Sequence, residues 1–182
     1  RFKDYEIVGG IVINRPVGPM FDLFRINLGR EDGLWVTGDR SYPVLDSQHA
    51  LVGRLYSSEL GSSRVVPLLH EGFSVSSKVS ASSGQNFRVR GSVEYKDRGL
   101  CLADQIPEGT PLLVGDLIVS SGDGGLYPEG IAIGTVVEIF ADSQSNALQA
   151  LIEPNSQLEK LDYIFVLIDH ALPSEAKGQS DD

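Results

Sequence analysis

The residues with the strongest claim on chemistry are Gly122-Asp123-Gly124-Gly125, preceded by Ser121. A glycine-flanked Asp beside a serine approaches the Gly-Asp-Ser-Gly-Gly signature that holds the nucleophile of trypsin-like hydrolases. Here no serine stands between the Asp and the following Gly, and Ser121 precedes the turn, where its hydroxyl would point elsewhere. A triad also needs a histidine oriented by a buried carboxylate and within hydrogen-bond reach of the serine. His49 follows polar Asp46, Ser47 and Gln48 in a loop, His70 closes a strand, and His170 adjoins the tail, so none has that context. A cryptic or degenerate serine hydrolase is the enzyme alternative. The expectation is no catalysis.

Other chemistries fare no better. A glycine loop cradles phosphate through backbone N–H groups at a helix N-terminus, usually with a Lys. This loop carries Asp123 and Glu129 and runs into an apolar strand pattern. Three dispersed histidines and a single cysteine make no zinc pattern. Asp142-Ser143-Gln144-Ser145-Asn146 lacks the carboxylate density of a calcium loop. No cofactor or metal is expected. Cys101, between Leu100 and Leu102, reads as a small buried hydrophobe, and a lone cysteine forms no intramolecular disulfide.

The elements that would position these residues are strands. The 20 glycines and 9 prolines recur too often for a long amphipathic helix. Phe73, Val75, Val79 and Ala81 alternate with Ser74, Ser76, Lys78 and Ser80, and Phe87 and Val89 with Arg88 and Arg90, which puts apolar side chains on one face. Residues 94–99 read as a turn into the strand 100–103. Residues 163–168 form a continuous apolar run, expected where both faces are covered. Pro67 is expected on an edge strand or at a bulge. Residues 155–161 support one helical turn at most.

A weak repeat organises these strands. Gly38-Asp39, Val52-Gly53-Arg54-Leu55 and residues 62–69 correspond to Gly115-Asp116, Ile133-Gly134-Thr135-Val136 and residues 145–152. Fourteen residues separate the Asp from the central Gly in one copy and eighteen in the other, the longer copy holding the glycine loop 121–130. Together with about a dozen strand candidates, the repeat predicts an all-β chain of two small six-stranded β-barrels, the second inserted in the first. The expected division is 1–70 plus 155–170 for the first barrel and 71–154 for the second, with 173–182 a disordered acidic tail.

The net charge of −10 and pI near 4.7 argue against nucleic acid, where Lys and Arg contacts to phosphate dominate affinity, and against adsorption to anionic lipid. No stretch approaches the ~18 apolar residues of a membrane helix.

Three segments resemble the MreC family of bacterial rod shape-determining proteins. The strongest is Val114-Gly115-Asp116-Leu117-Ile118-Val119-Ser120-Ser121-Gly122-Asp123-Gly124-Gly125-Leu126-Tyr127-Pro128-Glu129-Gly130-Ile131-Ala132-Ile133-Gly134-Thr135-Val136. It is similar to the family's Gly-Asp, hydrophobic strand, Ser-Gly, Gly-Gly turn, aromatic-Pro pair and Gly-Ile-x-Ile-Gly-x-Val. The others are Leu51-Val52-Gly53-Arg54-Leu55 with Ser62-Ser63-Arg64-Val65 and Leu68-Leu69, and Asn27-Leu28-Gly29-Arg30-Glu31-Asp32-Gly33-Leu34. The resemblance spans about residues 7–168. It departs at His70-Glu71-Gly72-Phe73, where an Asp-Pro-like turn is usual, and at Asp123, where an apolar residue is.

The resemblance implies a periplasmic or extracytoplasmic scaffold of cell-wall elongation. It would be held at the inner membrane by an N-terminal helix and coiled coil absent from this chain. Its implied partners are itself, as dimer or filament, a class B penicillin-binding protein, and other membrane proteins of the elongation complex. The candidate partner contacts are Leu126, Tyr127 and Pro128, presented by the Gly-Gly loop, and Trp35; the alternative is that these residues plug their own barrels. Gly122, Gly124, Gly125, Gly130 and Gly134 are expected as turn glycines. An unrelated peptide-binding adaptor, taking an extended segment at an edge strand, is the other alternative.

Overall fold

The computed structural model describes residues 3–14, 22–81 and 85–170. The acidic tail read at 173–182 lies outside them. The described residues are all-β, with twelve strands: β1 (Tyr5–Asn14), β2 (Phe24–Ile26), β3 (Pro43–Leu45), β4 (Leu51–Ser58), β5 (Ser63–Pro67), β6 (Ser74–Val79), β7 (Phe87–Arg90), β8 (Cys101–Asp104), β9 (Leu117–Ser120), β10 (Ala132–Ala141), β11 (Leu148–Pro154) and β12 (Tyr163–Asp169). They close into two six-stranded antiparallel barrels, as the strand count and the repeat predict.

Around the first barrel the strands run β12-β1-β2-β5-β4-β3, and around the second β6-β7-β8-β11-β10-β9. These are one topology, with β12 taking in the first barrel the place that β6 takes in the second. The repeat has a matching physical core. Gly53 on β4 pairs with Pro67 and Gly134 on β10 with Pro154, and each pair is followed by a bulge two residues on, at Leu55/Ser57 and at Val136/Glu138. A Cβ on Gly53 would strike the Val66 carbonyl and lie 2.9 Å from Pro67 Cα; one on Gly134 would strike the Glu153 carbonyl and lie 2.7 Å from Ile152 Cγ2. Glycine is required at both because the strands cross too closely for a side chain.

Three expectations are corrected here. The second arm of the repeat is out of register: Pro67 corresponds to Pro154, so Val65 matches Ile152 rather than Leu148, the second hairpin being longer. Gly134 is no turn glycine; it lies inside β10 with ordinary φ and is fixed by close approach. Pro67 lies on no edge. It ends β5 beyond the last residue paired with β2, so its missing N–H falls where no acceptor waits. The helical hint at 155–161 is a single 3₁₀ turn, Leu158–Lys160.

One buried apolar cluster runs through both barrels, from Phe24, Leu51 and Val166 in the first to Phe73, Ile118 and Ile152 in the second. The barrels are also joined by a parallel bridge between Ala50 and Ala132 and by the Cys101 thiol, 3.2 Å from the Leu68 carbonyl oxygen. Cys101 is fully buried, as its apolar neighbours predict, and burial pushes its thiol well above the ordinary range.

Candidate docking surfaces

The glycine loop is built as expected but aimed elsewhere. Gly122, Gly124, Gly125 and Gly130 all have positive φ, a conformation costly for any side chain. Buried Ser120 closes the base of the loop: its hydroxyl donates to the Pro128 carbonyl at 2.6 Å and accepts from the Ile131 N–H at 2.9 Å. The loop therefore folds inward. Tyr127 is only 4% exposed, and its ring meets Phe73 edge-on with centroids 6.2 Å apart. Its hydroxyl has no protein hydrogen-bond partner, and burial raises the phenol well above its ordinary range. Leu126, half-buried, lines a small cleft against Tyr5, Arg40, Tyr42 and Leu167 of the first barrel, and Pro128 is half-buried beside it. Tyr127 as an exposed partner contact is thus corrected: it plugs the second barrel where the two barrels meet.

Trp35 is exposed. Its neighbour Leu34 is fully buried, and the backbone between them is pinned by the Tyr42 hydroxyl, which accepts from the Trp35 N–H at 3.1 Å, and by Ser58, which accepts from Val36 at 3.0 Å. The Arg30 guanidinium lies 5.3 Å from the indole centroid. Arg30 starts a 3₁₀ turn, Arg30–Asp32, whose N–H groups bond the tip of the β4–β5 hairpin at Glu59 and Leu60. Exposed Leu60 and Tyr56 belong to that hairpin, with Arg64 stacked 5.1 Å from the Tyr56 ring. Trp, Tyr and Arg are the residues that dominate binding energy at protein interfaces.

Two further apolar surfaces carry no sequence signal. On β1, Ile7, Gly9, Ile11 and Ile13 point away from the core while Val8 and Val12 pack against it. On β12, Phe165 stands opposite Gly9 and Tyr163 opposite Ile11. Phe165 lies across the bare Gly9 backbone, where a Cβ would sit 3.3 Å from its ring. The run 163–168 is therefore not covered on both faces: Ile164, Val166 and Leu167 are buried, but Tyr163 is 65% exposed. The second surface, on the other barrel, holds Leu113, Val114, Leu117 and Val137, all exposed. Tyr56 and Val137 occupy the same place in their barrels, at the bulge that follows each strand glycine.

The residues first suspected of chemistry have structural partners. Ser121 is hydrogen-bonded to the Ser76 hydroxyl at 2.7 Å, His70 Nδ1 accepts from the Gly72 N–H at 2.8 Å, and His170 lies 3.5 Å from Glu6. Asp104 receives Arg88 through two hydrogen bonds, at 2.7 and 2.6 Å, and Arg90 through a third, at 2.8 Å. Burial alone would raise the Asp104 carboxyl; the two guanidinium groups outweigh it and hold the carboxyl below its ordinary value. This is a cross-strand brace on β7 and β8. Among the described residues both barrels are closed, which engages each strand on two sides for at least part of its length, whereas the peptide-adaptor reading depends on a free edge.

Two closed barrels sharing one core, with aromatic and aliphatic side chains held outward on rigid strands, define an all-β two-barrel module whose distinctive surfaces are apolar. Residues 12–168 match the family model described as rod shape-determining protein MreC, barrel core, and the chain belongs to that family. The cell shape-determining protein MreC of Geobacillus stearothermophilus is 28% identical over 171 residues, 91% of this chain and 58% of the relative, so the chain spans little more than half of that protein. The solved MreC of Listeria monocytogenes is 27% identical with a TM-score of 0.77, covering 100% of this chain and 82% of the other. A complex between a penicillin-binding protein (PBP2) and MreC from Helicobacter pylori matches with a TM-score of 0.64 at 13% identity, over 90% of this chain and 99% of that one. Among the described residues no helix is long and apolar enough to cross a membrane.

Proposed function

We propose that this chain is the barrel portion of a non-catalytic scaffold that holds a class B penicillin-binding protein during cell-wall elongation and so maintains rod shape. The observation that carries this reading is the pairing of a core shared by both barrels with outward apolar residues. One core runs through both barrels, yet Trp35, Tyr56, Leu60, Ile11, Ile13, Tyr163, Leu113 and Val114 remain exposed. The MreC of Helicobacter pylori, solved with a penicillin-binding protein, supports the choice of partner. The scaffold acts outside the cytoplasmic membrane, anchored by a preceding segment, associates with itself, and meets other membrane proteins of the elongation complex. Its effect is geometric: two barrels packed on one core fix the orientation of a bound enzyme. A stable complex of this kind buries ~800 Å² on each partner.

The test is mass by light scattering over a concentration series, with and without a purified class B penicillin-binding protein ectodomain. A stoichiometric complex, weakened by Trp35→Ala without loss of melting temperature, is the expected result. A chain that stays free at micromolar concentrations of both proteins contradicts the assignment.

A further inference from the structure

We infer that the polar cleft between the β3–β4 loop and the segment returning the chain to β12 is a binding site for a neutral oligosaccharide. This goes beyond the scaffold reading and does not depend on it.

The cleft encloses about 250 Å³, and Asp46, Gln48, Gln157, Lys160 and Tyr163 are among the residues that line it. Asp46 shapes one wall. Its Oδ1 accepts from the Gln48 and Ala50 N–H groups, each at 2.9 Å, and the bridge from Ala50 to Ala132 ties this loop to the second barrel. The other wall is the 3₁₀ turn Leu158–Lys160, seated by buried Leu158 and Leu161. Just before it, the Asn155 N–H donates to the Ile133 carbonyl of β10 at 3.0 Å. Walls held in this way lower the cost of ordering the site around a ligand.

Hydrogen-bonding groups without protein partners converge on this space. Asp46 is only 9% exposed, yet its Oδ2 accepts no hydrogen bond among the described residues. A carboxylate oxygen so nearly buried is costly to leave bare. The side chains of Gln48, Gln157 and Lys160 also make no hydrogen bond or ion pair among the described residues. They offer an acceptor, a donor and two amides that do both. That mixture suits hydroxyl groups, each of which donates and accepts. An anion would meet Asp46 and Asp162, and a cation would meet Lys160. Tyr163, 65% exposed, adds a flat ring on which the C–H face of a sugar can stack. Tyr163 and Leu161 are the only apolar residues of the lining, so an apolar peptide side chain finds no pocket. Gln157 and Lys160 also line a neighbouring cleft of about 590 Å³, beside Ser156, whose buried hydroxyl has no partner. The shared edge lets a chain of several rings continue from one cleft into the next.

The experiment titrates the whole isotope-labelled chain with cellotetraose, and separately with the tetramer of N-acetylglucosamine, up to about 10 mM, following amide resonances by NMR. Saturable shifts at residues 46–50 and 155–163 are expected with at least one of the two sugars. Gln157→Ala and Tyr163→Ala, both at exposed positions, should each weaken binding about tenfold at an unchanged melting temperature. Asp46→Asn keeps the oxygen that organises the loop, exchanges the free one for an amide nitrogen, and should weaken binding several-fold. Leu113→Ser, on the second barrel, should leave it within twofold. Resonances that neither sugar shifts, or cleft variants that all bind like the unaltered chain, overturn the proposal. If tetra-alanine shifts the same resonances at lower concentration than either sugar, the occupant is a peptide and the proposal fails.

Discussion

Replacing Tyr127 separates a core plug from a surface anchor. Removing a buried aromatic ring down to alanine costs ~3–5 kcal/mol. The Tyr127 hydroxyl is buried without a protein partner, and such a hydroxyl costs about 1 kcal/mol at the low end of the usual range, which its removal returns. Tyr127→Ala should therefore destabilise by about 2–4 kcal/mol net, the ring's contact with Phe73 being the main loss. At the ~2–4 °C per kcal/mol expected for a chain of this size, the melting temperature falls by ~5–15 °C. Tyr127→Phe keeps the ring and discards the orphan hydroxyl, so it should be neutral or stabilising by up to ~1 kcal/mol. Thermal and urea unfolding of both variants, read by circular dichroism, provide the comparison. If Tyr127→Ala melts within 2 °C of the unaltered chain yet loses partner binding, the ring is a surface anchor and the burial argument fails.

Gly134→Ala should destabilise by at least ~2–3 kcal/mol, because the new methyl meets backbone on β11 that cannot rotate away; Gly53→Ala should behave alike, and urea midpoints check both. Asp104→Asn should cost ~1–2 kcal/mol at neutral pH, discounted for its half-exposed arginine partners. The folded Asp104 carboxyl titrates below its unfolded value of ~3.9, so its contribution is fully present above that pH and is lost as the pH falls through the folded value. The unaltered chain should consequently lose its advantage over the Asn variant below about pH 4, and parallel acid limbs for the two proteins would contradict this. Cys101 should react with a thiol reagent only at the rate of unfolding, being fully buried with its thiol kept protonated; rapid labelling of the folded chain would place it at the surface.

Much of the architecture was legible because it repeats. The correspondence of Gly53 with Gly134 was visible in the chain and marks two equivalent close crossings, each fixed by a backbone collision that excludes any Cβ. What sequence could not supply was the length of the second hairpin, and with it the partner arm slipped by four residues. The docking surfaces were harder. A continuous apolar run such as 163–168 has no period to separate the buried Ile164 and Val166 from the exposed Tyr163, and β1 hides its outward isoleucines the same way, with Val8 and Val12 between them. Tyr127 failed for the opposite reason. Glycines announce a turn but not its direction, and here the bonds made by Ser120 turn the loop onto its own core.

The shared topology has a consequence for how the chain acquires its shape. The second barrel draws all six strands from one uninterrupted stretch, Ser74 to Pro154, and can form as soon as that stretch has emerged. The first barrel cannot close until β12 arrives, since Tyr5 must find Asp169 near the far end of the polypeptide. Long-range pairings of this kind are slow because closure entropy is lost before any contact repays it. A finished second barrel shortens the search: Leu69, on its way in, and Pro154, on its way out, line the same cleft, so the two arms of the first barrel leave the second from one place. The middle of the chain becomes the template on which its two ends meet, and the β1–β12 seam is the last part of the molecule to be sewn.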